Sequence, residues 1–280
     1  MEKQQLLDHG YLGLVEAWGS DQAIIEAARM STDKGFLGWE PRVTGICCLP
    51  NGEPMPGGQR EVLPPYLVEV WNKNGRPSYQ DATNPYRDVK EEPGDEKLLK
   101  FLYDNKHSTP FEMGGLTIEV QAPIFVFREW HRHRVPFGYS EMSARYVPMP
   151  DFNYIPTVER LLINSKTNKQ AGVVKGALEL TAEMAAEYRV LLEGEYKQQE
   201  RLYQVALSMG VPKELARIHL PVGRYSRMRA TGNLRGWLGF MALRSAPGAQ
   251  YEIRVYSDAI GEIIKAKFPR TWKLFSEERA

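Results

Sequence analysis

The chain has 280 residues, 42% of them hydrophobic, 25% charged and 11% aromatic, which is the profile of a globular protein with a core. Thirty-six Lys and Arg against 35 Asp and Glu leave a formal net charge of +1. No global field therefore draws the protein to nucleic acid or to a membrane, and any anion site has to be a local cluster. The cysteines are the adjacent Cys47 and Cys48, which pair poorly with each other and fit a reducing compartment. MEKQQLLDHGYLGLVEAW lacks the apolar run of a secretion signal, and no stretch approaches the roughly 20 apolar residues of a membrane span. The expectation is a soluble, cytoplasmic protein with no membrane partner.

Ser20 followed by DQAIIEAARM predicts an N-capped helix, with Ala23, Ile24, Ala27 and Ala28 on one apolar face. From Gly35 to Pro93 the periodicity dissolves into Pro-, Gly- and Asn-rich text such as CCLPNGEPMPGGQ and NKNGRPSYQDATNPYRDVKEEPGD, with short apolar runs such as YLVEVW inside it. This reads as a surface insertion at about residues 36–95 of a single domain spanning 1–280. Asp95 opens a second helix, DEKLLKFLYDN; LTIEVQAP alternates as a half-buried strand and ends at Pro123. IFVFREWHRHR predicts a helix with apolar residues on one side and arginines on the other. Val173 to Met209 is the longest helical pattern, closed by Gly210 and Pro212 ahead of KELARIHL. GWLGFMALR and AQYEIRVYSDAIGEIIKAKF predict two further helices on either side of an Ala246-Pro247-Gly248 turn. The fold class is α+β and helix-rich, with a few strands in the first half.

Arginines concentrate on these segments: Arg128, Arg132, Arg134 and Arg145 first, then Arg217, then Arg224, Arg227, Arg229, Arg235 and Arg244. A guanidinium is a planar fork of donors that matches phosphate oxygens and keeps its charge. Solvated helix faces with carboxylate partners would account for single members. The first group, interleaved with His131, His133, Ser140 and Ser143, points instead to an anionic ligand. His131 and His133 have no Cys or carboxylate cluster at zinc spacing around them, so no metal is expected. His9 and His219 read as surface and packing residues.

RHR at 132–134 followed by SEMSARY at 140–146 resembles the signature of the flavin-dependent thymidylate synthases, the ThyX family. AARMS (27–31), HSTPFE (107–112), QAPIFVFREW (121–130), VPKELARIHLP (211–221), NLRGWLGFMALR (233–244) and AQYEI (249–253) are similar to further blocks of that family, in family order. The resemblance covers most of the chain outside the insertion. It implies a helix-rich α+β domain with a small mixed or antiparallel sheet, assembled as a homotetramer with active sites between subunits. It also implies FAD as cofactor, dUMP as substrate, and methylenetetrahydrofolate and NADPH as co-substrates.

Position by position, the resemblance implies that Arg132, His133 and Arg134 hold the FAD, with Ser31, His107, Thr109 and Glu141 near the flavin and Asn233 and Arg235 reaching it from a neighbouring subunit. Gly239 stands where the family can use an asparagine side chain and offers only backbone. Glu129, Trp130, His131 and Arg132, with Glu141, Met142, Ser143, Ala144 and Arg145, match the nucleotide site, where Ser143 and Arg145 bind the dUMP phosphate. Arg217 matches a further nucleotide-binding arginine, and Arg244 the catalytic arginine that activates the uracil ring. The spacer between Arg134 and Ser143 is one residue longer than the commonest family pattern, and Ser140 stands where many members carry asparagine.

The chemistry has its own logic. C5 of uracil is a poor nucleophile, and adding a cysteine thiolate to C6 would activate it; that route needs a low-pKa cysteine in a cationic pocket. Cys47 and Cys48 lie in GICCLP, within the insertion and away from the arginines. Electrostatic stabilisation by a fixed guanidinium is the remaining route. Two rival readings stay open: a related flavin- and folate-dependent hydroxymethylase of pyrimidine nucleotides, and a nucleic-acid-binding protein using its arginine-rich helices. Neutral net charge and the absence of a known binding motif argue against the second, so no nucleic-acid partner is expected.

Overall fold

In LTIEVQAP the alternate residues Leu116, Ile118, Val120 and Ala122 are all 0% exposed, and the segment is the central strand of a sheet. The computed structural model describes residues 2–49, 51, 53–58, 61–63, 70–71, 77–78, 87–163 and 172–279. The chain forms two units, one comprising the segment up to Ser20 with Phe111–Pro269, the other Asp21–Pro110 with the segment from Arg270 onward.

In the first unit, β1 (Gln4–Leu6), β2 (Gly10–Trp18), β8 (Gly115–Pro123), β10 (Tyr225–Asn233) and β9 (Gly138–Glu141) stand in that spatial order, every neighbouring pair antiparallel. The β8–β10 register sets Ile118 against Ala230 and Val120 against Met228, so period two places one apolar face on the core. Each of these two strands runs directly into a helix: β8 into α3 (Ile124–Trp130), β10 into α7 (Leu234–Arg244). Because the strands are antiparallel, these helices start at opposite ends of the pair. Asn233 caps α7, its Oδ1 accepting from the Gly236 amide at 2.9 Å. Trp130 of α3, Trp237 and Phe240 of α7 and Tyr256 of α8 (Tyr251–Lys267) are fully buried together. Among the described residues this unit also holds α4 (Val158–Leu162), α5 (Ala182–Ser208) and α6 (Lys213–Ala216).

The second unit holds α1 (Asp21–Arg29), a three-stranded antiparallel sheet of β4 (Glu61–Val62), β3 (Arg42–Cys47) and β7 (Arg87–Glu92), a short pair β5 (Val70–Trp71) and β6 (Pro77–Ser78), and α2 (Asp95–Asp104). It also holds the part of α9 (Pro269–Glu277) from Arg270 onward. Asp21, 5% exposed, accepts from the amides of Arg270 and Thr271 and from the Thr271 hydroxyl at 2.8, 3.1 and 2.6 Å, tying α9 to α1. Of YLVEVW, Val70 and Trp71 form β5; the preceding four residues lie outside the described set.

The structure corrects four sequence expectations. The helix over IFVFREWHRHR stops at Trp130, and Arg132–Arg134 form a turn into β9, because Pro136 has no amide to donate and disfavours helix at Val135. Arg227 and Arg229 lie on a strand, exposed between buried Ser226, Met228 and Ala230. Strands are not confined to the first half, since β10 falls in the second and pairs along the full length of β8. The long helix begins at Ala182, where Thr181 caps it by accepting from the Met184 amide at 3.3 Å.

A Cβ on Gly10 would meet the Tyr256 hydroxyl at 2.0 Å and the Leu6 carbonyl at 2.7 Å, whereas one on Gly239 would meet nothing within 4 Å. Gly10→Ala should therefore cost about 1–3 kcal/mol of stability in urea unfolding. Gly239→Ala, inside α7, should leave stability unchanged or raise it by up to about 1 kcal/mol.

Candidate active site

Arg244 is the last residue of α7, and its guanidinium is held by the turn that follows α3. Its Nε donates to His133 Nε2 at 2.9 Å, one terminal nitrogen donates to the Glu129 carboxylate, and the other donates to the Glu129 carbonyl oxygen at 3.0 Å. Glu129 occupies the last turn of α3, and the His133 amide closes the turn on the Trp130 carbonyl at 3.0 Å. Glu129 and His133, four apart in sequence, thus meet one guanidinium from two sides.

This geometry fixes a protonation state. A guanidinium N–H can only donate, so His133 Nε2 accepts and the ring proton sits on Nδ1. Burial, and then the charge of Arg244, lower the His133 pKa below 6.5, with Glu129 partly opposing. Of Arg244's five N–H donors, three are engaged here and two remain for a ligand.

His133 also lines a cavity of about 440 Å³ with Glu112, Phe137, Asn233, Arg235 and Gly239. Phe240 adds an apolar wall, its ring 4.8 Å from that of His133. Arg235 pairs with Glu112 at 2.5 Å, and the side-chain oxygen of Asn233 caps α7, which leaves its NH₂ to donate. A flat apolar wall, polar donors at the rim and a glycine that leaves space suit a planar heteroaromatic group. Arg132 and Arg134 are exposed in the adjoining turn with no ion-pair partner among the described residues, and are available to anions.

A second cavity, about 300 Å³, collects Glu141, Met142, Ala144, Arg217 and Ser226. β9 delivers Glu141, whose carboxylate accepts from the Ser226 hydroxyl at 2.7 Å, and the Met142 amide bonds to the Arg227 carbonyl at 2.8 Å. Ser143 Oγ accepts from the Arg145 amide at 3.3 Å, leaving its O–H to donate outward. The Arg145 and Arg217 side chains are exposed; Arg217 makes one long bond, to the Glu214 carbonyl at 3.4 Å.

The nucleotide residues inferred from sequence therefore divide between two places on one chain. Glu129 and Arg244 share one cluster, and Glu141, Met142, Ala144 and Arg217 share a cavity. Trp130 is fully buried against Phe240 and Tyr256, so only its backbone faces the turn. His131 packs against Phe127 and Tyr139. Ser31, His107 and Thr109 belong to the second unit, where Ser31 is exposed. Sequence reasoning assigned no role to Glu112, Phe240 or Ser226. The strict alternation of YSRMRATGN was the signal that places Ser226 on the inward face of β10.

Between the lowered His133 pKa and the unfolded value near 6.5, the unfolded chain binds more protons, so the stability linked to this group is full above 6.5 and falls as pH drops through that window. Titration of the His133 ring by NMR should give a pKa below 6.5 in the wild type, moving upward in Arg244→Ala.

Comparison with known proteins agrees with this architecture. Residues 66–270 match the family described as thymidylate synthase complementing protein. The flavin-dependent thymidylate synthase of Gluconobacter oxydans is 30% identical over 278 residues, covering 98% of this chain and 73% of that protein. That of a Thermus thermophilus strain is 32% identical over 272 residues (97% and 77%), and that of Thermosipho africanus 30% over 271 (97% and 92%). The crystal structure of the UMP/dUMP methylase PolB from Streptomyces cacaoi with 5-Br dUMP superposes with a TM-score of 0.67 at 24% identity, over 98% of this chain and 97% of that one, and shares the fold. The chain belongs to the flavin-dependent thymidylate synthase family.

Proposed function

We propose that this protein methylates dUMP to dTMP with FAD as cofactor, methylenetetrahydrofolate as one-carbon donor and NADPH as reductant, and that Arg244 is its catalytic group. The observation that carries the reading is the guanidinium of Arg244, fixed by Glu129 and His133 beside the cavity that His133 lines, with two N–H donors to spare. In this reading Ser143, Arg145 and Arg217 bind the nucleotide phosphate, with Glu141, Met142 and Ala144 lining that end of the site and Glu129, Trp130, His131 and Arg132 contributing to the ring end. The free donors of Arg244 face the uracil edge and stabilise the negative charge that develops as C5 becomes nucleophilic. The guanidinium is already fixed before substrate arrives, so little reorganisation is spent at the moment of reaction.

Arg132, His133, Arg134, Asn233, Arg235 and the backbone at Gly239 would hold the flavin, with Glu141 in the same unit; Ser31, His107 and Thr109 are proposed as flavin residues of the other unit. The donor set fits: exposed guanidiniums for the diphosphate, and a neutral imidazole with an apolar wall for the ring system. When bound, the flavin supplies the electrons that reduce the transferred carbon to a methyl group. The chain's own residues bind, orient and polarise.

A homotetramer with sites between subunits is part of the same proposal. Two features support it: the two halves of the nucleotide site lie in different places on one chain, and α5 exposes Val190 (70%), Leu191 (64%) and Leu202 (55%) while burying only Ala185 and Tyr203. Residues 1–280 then act as one functional domain, with the segment at about 36–95 as its insertion. A cytoplasmic location is part of the same proposal; among the described residues no helix is long and apolar enough to cross a membrane.

The test is turnover of the purified yellow protein with dUMP, the folate and NADPH, the product identified by mass. Arg244→Ala should retain flavin but lose at least about 10²-fold in kcat, the scale of removing one oxyanion-type donor. Arg132→Ala should also weaken flavin retention, and Cys47→Ala with Cys48→Ala should leave turnover near wild type. Full activity in Arg244→Ala, or a hydroxymethylated product, would remove the proposal.

A further inference from the structure

Arg224 differs from every other arginine in the arginine-rich segments. It is 0% exposed, and its two terminal nitrogens are committed to the protein. One donates to the Pro150 carbonyl and to Asp151 Oδ1, both at 2.9 Å; the other donates to Glu200 of α5. With two carboxylates around it, its charge is neutralised internally, so it is not a ligand contact. What it joins is informative: the segment that follows the phosphate residues, the residue leading into β10, and the third quarter of α5.

One turn of α5 holds both sides of the phosphate cavity. Glu200 grips Arg224 and through it Pro150 and Asp151; Tyr203, also 0% exposed, accepts from the Met149 amide at 3.3 Å. The carbonyl of Gln199 bonds to His219 at 3.0 Å, two residues beyond Arg217. The loop bearing Ser143 and Arg145 is therefore strung between two anchors. At one end the Met142 amide bonds to β10; at the other, Met149 to Asp151 are fastened to α5. Lys213 Nζ, donating to the Tyr146 carbonyl at 3.0 Å, ties the loop directly to the segment carrying Arg217.

We propose that the Glu200–Arg224–Asp151 network is the positioning element of the phosphate end of the nucleotide site, setting the separation between the Ser143–Arg145 loop and Arg217. This rests on the reading that those residues receive the phosphate. Arg224 does not touch substrate; it acts through the loop it fastens. A planar fork can bind Pro150, Asp151 and Glu200 at once in fixed directions, and a lysine ammonium cannot reproduce that geometry.

The experiment measures binding of dUMP and of deoxyuridine, the same nucleoside without its phosphate, to the flavin-loaded proteins: wild type, Arg145→Ala, Arg224→Lys, Glu200→Gln, and the paired Arg224→Met with Glu200→Leu, which removes both buried charges together. The expected result is a rise of about tenfold or more in the dUMP Kd for Arg224→Lys and for the paired variant, a misplaced-contact effect. Deoxyuridine affinity, flavin content and kcat at saturating dUMP should stay near wild type, with Glu200→Gln in between for dUMP. A dUMP Kd unchanged in all Arg224 and Glu200 variants, or an equal loss for dUMP and deoxyuridine, overturns the inference while Arg145→Ala still weakens dUMP. If Arg145→Ala binds dUMP as the wild type does, the phosphate-site reading itself fails and takes the inference with it.

Discussion

A guanidinium can polarise a bound ring only if it cannot swing away, and in the proposed function that constraint falls on Arg244. The side chain is long, carries considerable rotamer entropy and would wander at a helix end. Here it is gripped by a carboxylate and a carbonyl of one residue, Glu129, and by the ring nitrogen of another, His133. Both come from the end of α3 and the turn after it, and that turn exists because the helix stops at Trp130 ahead of Pro136.

The sheet makes the meeting of α3 and α7 possible. Antiparallel β8 and β10 launch the two helices from opposite ends, and Trp130, Trp237, Phe240 and Tyr256 weld them to each other and to α8. The aromatic core thus holds the polar cluster at its edge. Phe240 serves both, buried against Trp130 on one side and walling the His133 cavity on the other. Burial also lowers the His133 pKa and so keeps its ring neutral and able to accept from Arg244 at neutral pH.

Much of this was readable from residues alone. The alternation of LTIEVQAP marked β8, and the apolar period of GWLGFMALR marked α7. What escaped has physical causes. HRHR continues the helical spacing of IFVFREW, and the stop is decided by Pro136, several residues on. YSRMRATGN alternates as cleanly as β8, but its outward face is arginine, which at short range reads like the polar side of a helix. The β3–β4–β7 sheet is assembled from Gly- and Pro-rich text whose short strands gain stability only from pairing across distant sequence. The grouping of Glu129, His133 and Arg244 around one guanidinium is a tertiary fact; sequence placed each near a ligand but not in contact with one another. Arg224 looked like one more ligand arginine and proved to be wholly internal.

In the proposed function fixed guanidinium charge, not sulfur addition, makes the pyrimidine reactive. The intact mass of the protein after incubation with 5-fluoro-dUMP, the folate and reduced flavin, followed by denaturation, separates these two routes. The expected mass is that of the unmodified polypeptide, with all nucleotide released. A polypeptide carrying the nucleotide, mapped to the peptide that contains Cys47 and Cys48, would establish sulfur addition instead.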